Sequence, residues 1–244
     1  AEFEGIMNKN NKYYLLVGWY PEYFDPNNIL LWQKRLVDDI ISRWLYRDIV
    51  SIYNIKNPEI LERLMYYIAA NSGGEFAYSN IAQTLGVDTV TISSYINYLS
   101  QAFFICVCDN YSPNIGKVVR KNKKVYTADS GIRNAMLRNN ELSPRDEGFQ
   151  VENCSIQMAR SYCEPENYSV YFWRDNQKET DIVIDKKIGL LPIEVKYRNT
   201  ILDKDIKGLS EFKEKYETKT GIVITKTYLD KKDDIVYIPF WMIR

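Results

Sequence analysis

The chain has 244 residues, 45% of them hydrophobic, and its 32 Lys and Arg balance 32 Asp and Glu. A length of this size suits two domains, and zero net charge confines any nucleic-acid surface to a local basic patch. With no histidine in the sequence, Ser-His-Asp and Cys-His pairs, His-metal nucleases and His general bases are all excluded, which leaves carboxylates, lysine, tyrosine and metal-bound water for any hydrolytic chemistry.

Residues 1–29 are rich in aromatics and contain GWYPEYFDP, and they read as the tail of a preceding module. Helical periodicity then runs through Leu31, Leu36, Ile40, Ile41, Trp44, Leu45 and Ile49. Asn57 and Pro58 form a helix start for Ile60, Leu61, Leu64, Met65 and Ile68, and Gly73-Gly74 ends that helix. In FAYSNIAQTLGVDTVTISSYINYLSQAFF, Ser79 can cap a short helix, Gly86 marks a tight turn, and Asp88 or Thr89 can cap a longer helix. That is a helix-turn-helix pattern.

A strand over Phe103 to Cys108, a loop with Pro113 and Gly116, and a second strand at KVVRKNKKVYTAD add a wing. Lys117, Arg120, Lys121, Lys123 and Lys124 concentrate positive charge there, as contact with DNA phosphates requires. Thr91, Ser93, Ser94 and Asn97 are the polar side chains offered by the recognition helix, which carries no arginine. A solvated hairpin in a module that contacts only protein fits the same residues.

LSPRDE, residues 142–147, reads as a surface connection, after which Phe149, Ile156 and Cys163 form a helical stripe. Glu152 sits inside that stripe, as an edge carboxylate reaching solvent or as a site residue. A strand at YSVYFWRD, a hairpin, a helix through Ile206, Leu209, Phe212 and Tyr216, and strands at GIVIT and DIVYIPFWMI follow. Long apolar strands with helices between them imply a mixed sheet covered on both faces. Cys106, Cys108, Cys154 and Cys163 match no common zinc spacing and read as small core residues. The sequence has no phosphate-binding loop, membrane-length apolar run or signal peptide, so a cytoplasmic location is expected.

The hairpin TDIVIDKKIGLLPIEVKY carries the chemistry. Alternation puts Ile182 and Ile184 on one face of the first strand, and Leu191, Ile193, Val195 and Tyr197 on one face of the second, leaving Asp181, Glu194 and Lys196 on the other. A turn centred on Lys187 and Ile188, or spread over Lys186 to Gly189, sets Asp181 opposite Glu194, whereas a three-residue turn breaks that register. Opposed carboxylates are destabilising unless something positive lies between them, and a hard cation such as Mg²⁺ suits the pair. An ordinary solvated strand face fits the same alternation.

Glu152, Asp181 and the triplet Glu194-Val195-Lys196, in this order of elements, resemble the PD-(D/E)xK nuclease superfamily. GWYPEYF, WLYRDIV, the helix-turn-helix block, KKVYTADSGIRNAML, GFQVEN, YFWRDNQKETDIVI and LPIEVKY resemble the C-terminal half of archaeal and bacterial AAA+-type ATPases, here without the ATPase module. The resemblance implies Mg²⁺ or Mn²⁺ held by Asp181, Glu194 and the Val195 carbonyl. Glu152 would serve as a third ligand or act through a water on the metal, and Lys196 would orient the attacking water and stabilise the charge developing on the phosphate. Thr180 stands where the superfamily name has proline. Arg174 can clamp a phosphate or pair with Glu179, and Arg198 and Lys204 can line the same cleft but read first as solvated surface.

The expected architecture is therefore α+β or α/β. A helical extension spans 1–55 (remnant or lid of a preceding module), a winged helix 56–128, a connection 129–147, and a restriction-endonuclease-like α/β domain with a mixed sheet covered by helices 148–244. The expected function is a metal-dependent DNA phosphodiesterase that is the distal part of an ATPase-coupled DNA-processing protein, with DNA and an ATPase module or subunit as partners, no membrane, and a homo-oligomer admitted. The alternative is a non-catalytic DNA- or protein-binding regulatory module that retains the nuclease fold.

Overall fold

The structure is a computed structural model that describes residues 11–18 and 28–243, with Ile40 by its backbone alone. Most of GWYPEYFDP, and residues 1–10 of the expected tail, lie outside the described residues. The chain divides into two compact units, one made of Lys12–Val107 and Asn122–Ser143, the other of Cys108–Lys121 and the chain from Pro144 onward, with Asn11. Among the described residues no helix is long and apolar enough to cross a membrane.

The first unit opens with α1 (11–17) and α2 (Ile29–Arg35), which runs on through wider π-type turns at Leu36–Ile41 and Trp44–Val50. Helix α3 (Pro58–Ala70) starts at proline, whose missing N–H costs nothing in a first turn, with Asn57 at the cap position. Strand β1 (Glu75–Phe76) leads to α4 (Tyr78–Leu85), where Ala77 takes the cap position and Ser79 falls within the first turn. Gly86 ends α4 at φ +71°, a left-handed conformation that glycine adopts without a Cβ penalty. Asp88 then caps α5 (Thr89–Gln101), its Oδ1 accepting the Thr91 amide at 2.8 Å.

Beyond α5 the expected wing changes character. Strand β2 (Ile105–Asn110) begins in the first unit and ends in the second, and α6 (Ile115–Arg120), capped by Asn114, replaces the first half of the expected second strand. Lys117 and Arg120 therefore lie on a helix. Strand β3 (Lys123–Thr127) pairs antiparallel with β1 and also neighbours β2. Lys124 on β3 is only 3% exposed, so burial removes it from any phosphate-facing surface.

The expected connection over 129–147 is largely helical. Asp129 caps α7 (Ser130–Leu137) by accepting the Ile132 amide at 3.0 Å, and Ile132 and Met136 join the core of Leu61, Leu64, Ile92 and Leu99. Gly131 meets the Val17 carbonyl so closely that a Cβ would lie 2.1 Å from it, and Asn134 Nδ2 donates to the carbonyls of Leu15 and Leu16. DSGIRNA thus fastens the 11–18 segment to α7.

In the second unit α8 (Pro144–Cys163) starts at the proline of LSPRDE, earlier than expected. It is followed by β4 (Ser169–Asp175), β5 (Lys178–Asp185), β6 (Leu190–Lys196), α9 (Lys207–Tyr216), β7 (Gly221–Thr225), β8 (Asp230–Lys232) and β9 (Ile235–Pro239). The strand order is β2-β4-β5-β6-β7-β9-β8. Pairs β2–β4, β6–β7 and β7–β9 are parallel, while β4–β5, β5–β6 and β8–β9 are antiparallel. This is a mixed sheet in a mixed α/β protein. Successive residues of β5 and β6 are buried, as strands covered on both faces require, and both α8 and α9 pack on these strands. All four cysteines are buried, and none forms a disulfide.

Candidate functional site

The β5–β6 hairpin sets the site. Its turn spans Lys186 to Gly189, closed by a 3.0 Å bond from the Lys186 amide to the Gly189 carbonyl. The register runs from Asp185↔Leu190 to Ile182↔Ile193, and one residue further the same register brings Asp181 to Glu194. There a side chain takes over, as the Val195 amide donates to Asp181 Oδ2 at 2.8 Å.

Asp181 is 7% exposed and Glu194 5%, so the hairpin face that carries them is not a solvated strand surface. The positive group between them is Lys196. Its Nζ hydrogen-bonds Glu194 Oε1, lies 3.8 Å from Asp181 Oδ2, and reaches the Val195 carbonyl at 3.3 Å. The other oxygen, Glu194 Oε2, is buried with no hydrogen-bond partner among the described residues. Burial first, and then the charge of Asp181, push the Glu194 carboxyl well above the usual carboxylate range. Burial works to lower the Lys196 ammonium, but Asp181 and Glu194 outweigh it and hold the proton more tightly than in water. A lysine held in this way is an electrostatic group and a poor general base.

Carboxylates of Glu152 on α8 and of Glu179 and Asp181 on β5 converge, with one oxygen from each lying within 4.8 Å of the others. Glu152 is therefore a member of the cluster, although half-buried. Glu179 is the residue that sequence reasoning assigned only to Arg174. That pairing exists, with Arg174 Nε 3.0 Å from Glu179 Oε2. The signal for a second role was its spacing, because residues 179 and 181 point to the same side of a strand. Arg198 is paired with Asp205 at 3.2 Å.

The residues expected at a DNA surface fall on different elements and in both units. On α5, Ser93 and Asn97 are exposed and Ser94 is half-buried, while Thr91 Oγ1 is bonded to Asp88 Oδ2 at 2.6 Å. Lys121 Nζ is tied to Asn110 Oδ1 at 3.2 Å. Lys117, Arg120 and Lys121 belong to the second unit, Lys123 and Lys124 to the first.

These features define a mixed α/β protein with a partly buried cluster of carboxylates beside Lys196. The chain belongs to the family described as Domain of unknown function (DUF8612), whose model matches residues 8–143, and residues 147–243 match the model of a second, Domain of unknown function (DUF4143). An uncharacterized protein of Mycobacterium tuberculosis is 26% identical over 174 residues, covering 67% of this chain and 38% of the relative. One from Haemophilus influenzae is 22% identical over 98% of this chain and 59% of its own length, and one from Methanocaldococcus jannaschii 21% identical over 98% and 50%. The chain thus spans from about two fifths to three fifths of these relatives. No solved structure matches it.

Proposed function

We propose that the second unit is a metal-dependent DNA phosphodiesterase of the PD-(D/E)xK type. The observation that carries this reading is the Lys196 ammonium held between Glu194 and Asp181, beside the converging carboxylates of Glu152 and Glu179. The residues fit a divalent cation, since every donor is a hard oxygen and Glu194 Oε2 is a buried acceptor with nothing to accept. Asp181, Glu194 and Glu152 would hold Mg²⁺ or Mn²⁺, which when bound supplies Lewis acidity and neutralises charge at the phosphate.

The chain's own groups supply the rest. Lys196 places a fixed positive charge where a phosphate oxygen gains negative charge, and burial strengthens that interaction relative to water. The Val195 carbonyl is already engaged by Lys196 and would be shared by a cation. In this reading the helix pair α4–α5 is a winged-helix-type DNA reader, and the chain is the distal part of an ATPase-coupled DNA-processing protein. A second reading of that helix pair, docking to an ATPase module or another protein, is favoured by α5 itself, which has no charged residue, and by the burial of Lys124.

The test is cleavage of duplex, single-stranded and branched DNA with Mg²⁺ or Mn²⁺, with the ATPase module supplied. Cutting by the wild type and its loss in Asp181→Asn, Glu194→Gln and Lys196→Ala are expected. No cutting of any substrate would leave a binding module that retains the site's residues.

A further inference from the structure

Glu179 stands between two partners of opposite kind. On one side it is the direct cross-strand neighbour of Arg174, with Nε 3.0 Å from Oε2. On the other it converges with Glu152 and Asp181.

Both ends of the Arg174–Glu179 link are anchored. The Arg174 amide donates to Asn110 Oδ1 at 3.3 Å, and its carbonyl accepts from Asn110 Nδ2 at 3.3 Å and Lys121 Nζ at 3.5 Å. Opposite, α9 lies so close to β5 that a Cβ on Gly208 would meet the Glu179 carbonyl oxygen at 1.7 Å. The two side chains therefore extend from fixed backbone.

Three converging carboxylates repel one another and do not by themselves make a site. The independent observation is Glu194, buried to 5% exposure, with one oxygen unpartnered among the described residues on a carboxyl that shares the Lys196 ammonium with Asp181. We propose that Glu179 is a further ligand of the cation and that Arg174 is its positioning residue, holding Oε2 so that the other oxygen faces Glu152 and Asp181. A carboxylate can serve both partners because it has two oxygens, and the ion pair with Arg174 restrains one of them. This rests on the metal-dependent reading of the site.

The experiment is isothermal titration of the metal-free protein with Mn²⁺, using charge-conserving variants to separate ligation from general electrostatics. Glu179→Asp, which withdraws the carboxylate by one methylene and keeps its charge, is expected to weaken Mn²⁺ at least tenfold, as is Glu179→Gln. Arg174→Lys, which keeps the charge and loses the planar fork, is expected to weaken it several-fold, while Glu211→Gln, outside the cluster, leaves it unchanged. Thermal melts in chelator confirm that each variant is folded. Wild-type affinity in Glu179→Asp overturns the ligand assignment and leaves the proposed function standing, and wild-type affinity in Arg174→Lys overturns the positioning role. A wild type that takes up no Mn²⁺ at millimolar concentration overturns the inference and the metal-dependent reading together.

Discussion

Asp181 accepts the Val195 amide across the hairpin at 2.8 Å, so a carboxylate continues the β5–β6 hydrogen bonding where the backbone ladder stops. Asp181→Ala should leave that amide buried without an acceptor, at a cost of about 1–3 kcal/mol. Asp181→Asn keeps an acceptor oxygen and should cost less. Chemical denaturation of the two variants in chelator measures the difference. Neither should gain stability from Mn²⁺, whereas a cation at ten times its dissociation constant stabilises the wild type by about 1.4 kcal/mol.

Glu194 gives the opposite sign. Burial and the Asp181 charge raise its folded pKa above the unfolded value of about 4.3. Its contribution to stability is therefore fully present below that value and is lost as pH rises through the folded pKa. Glu194→Gln removes a titrating group and should melt higher than the wild type at neutral pH in chelator, with the gap closing below about pH 4. Saturating Mn²⁺ should reverse the order. A melting series from pH 3.5 to 8, with chelator and with Mn²⁺, reads both effects.

The hairpin register was legible because alternation and a symmetric turn admit few pairings, and Asp181 and Glu194 follow from it. Glu179 was legible only as a residue on the same side of the strand as Asp181, because its convergence with Glu152 depends on where α8 lies over the sheet, which strand spacing does not encode. The start of the wing's second strand misled for a local reason. Asn114 can cap a helix, and its side chain accepts the Lys117 amide at 3.2 Å, but the run of basic residues from Lys117 onward reads as one strand. Helix α7 was hidden by brevity, since Ile132 and Met136 alone make too short a pattern to stand out from a connection.

Gly208 supports the site through packing alone. Gly208→Ala should push α9 away from the Glu179 carbonyl and destabilise the fold by roughly 1–3 kcal/mol, as overpacking does. Because β5 carries Glu179 and Asp181, the same variant should also weaken Mn²⁺ binding. Denaturant unfolding and calorimetry on one preparation test the two effects together.

The two adjacent lysines of β3 should separate cleanly. Lys124→Ala empties a buried position and should lower the melting temperature while leaving the salt dependence of DNA binding unchanged. Lys123→Ala should leave stability near wild type and, if the first unit meets phosphates, reduce the slope of log affinity against log salt by about 1. Fluorescence anisotropy at several salt concentrations distinguishes them, and an unchanged slope in Lys123→Ala assigns the module to protein docking.

Strand β2 has a consequence for how the protein is made. Its last residues pair with β4, Asp109 with Tyr171 and Asn110 with Phe172, so the second unit takes its border strand from chain synthesised well before the rest of it. While the ribosome extends toward Tyr171, the segment from Cys108 to Lys121 has no β4 to pair with, although Asn122–Ser143 of the first unit follow it directly in the chain. A fragment cut out from Pro144 onward would lack that strand and bare the β4 edge, an open template for pairing with another copy. The span that aligns as a separate domain is therefore a poor guide to where this chain can be divided.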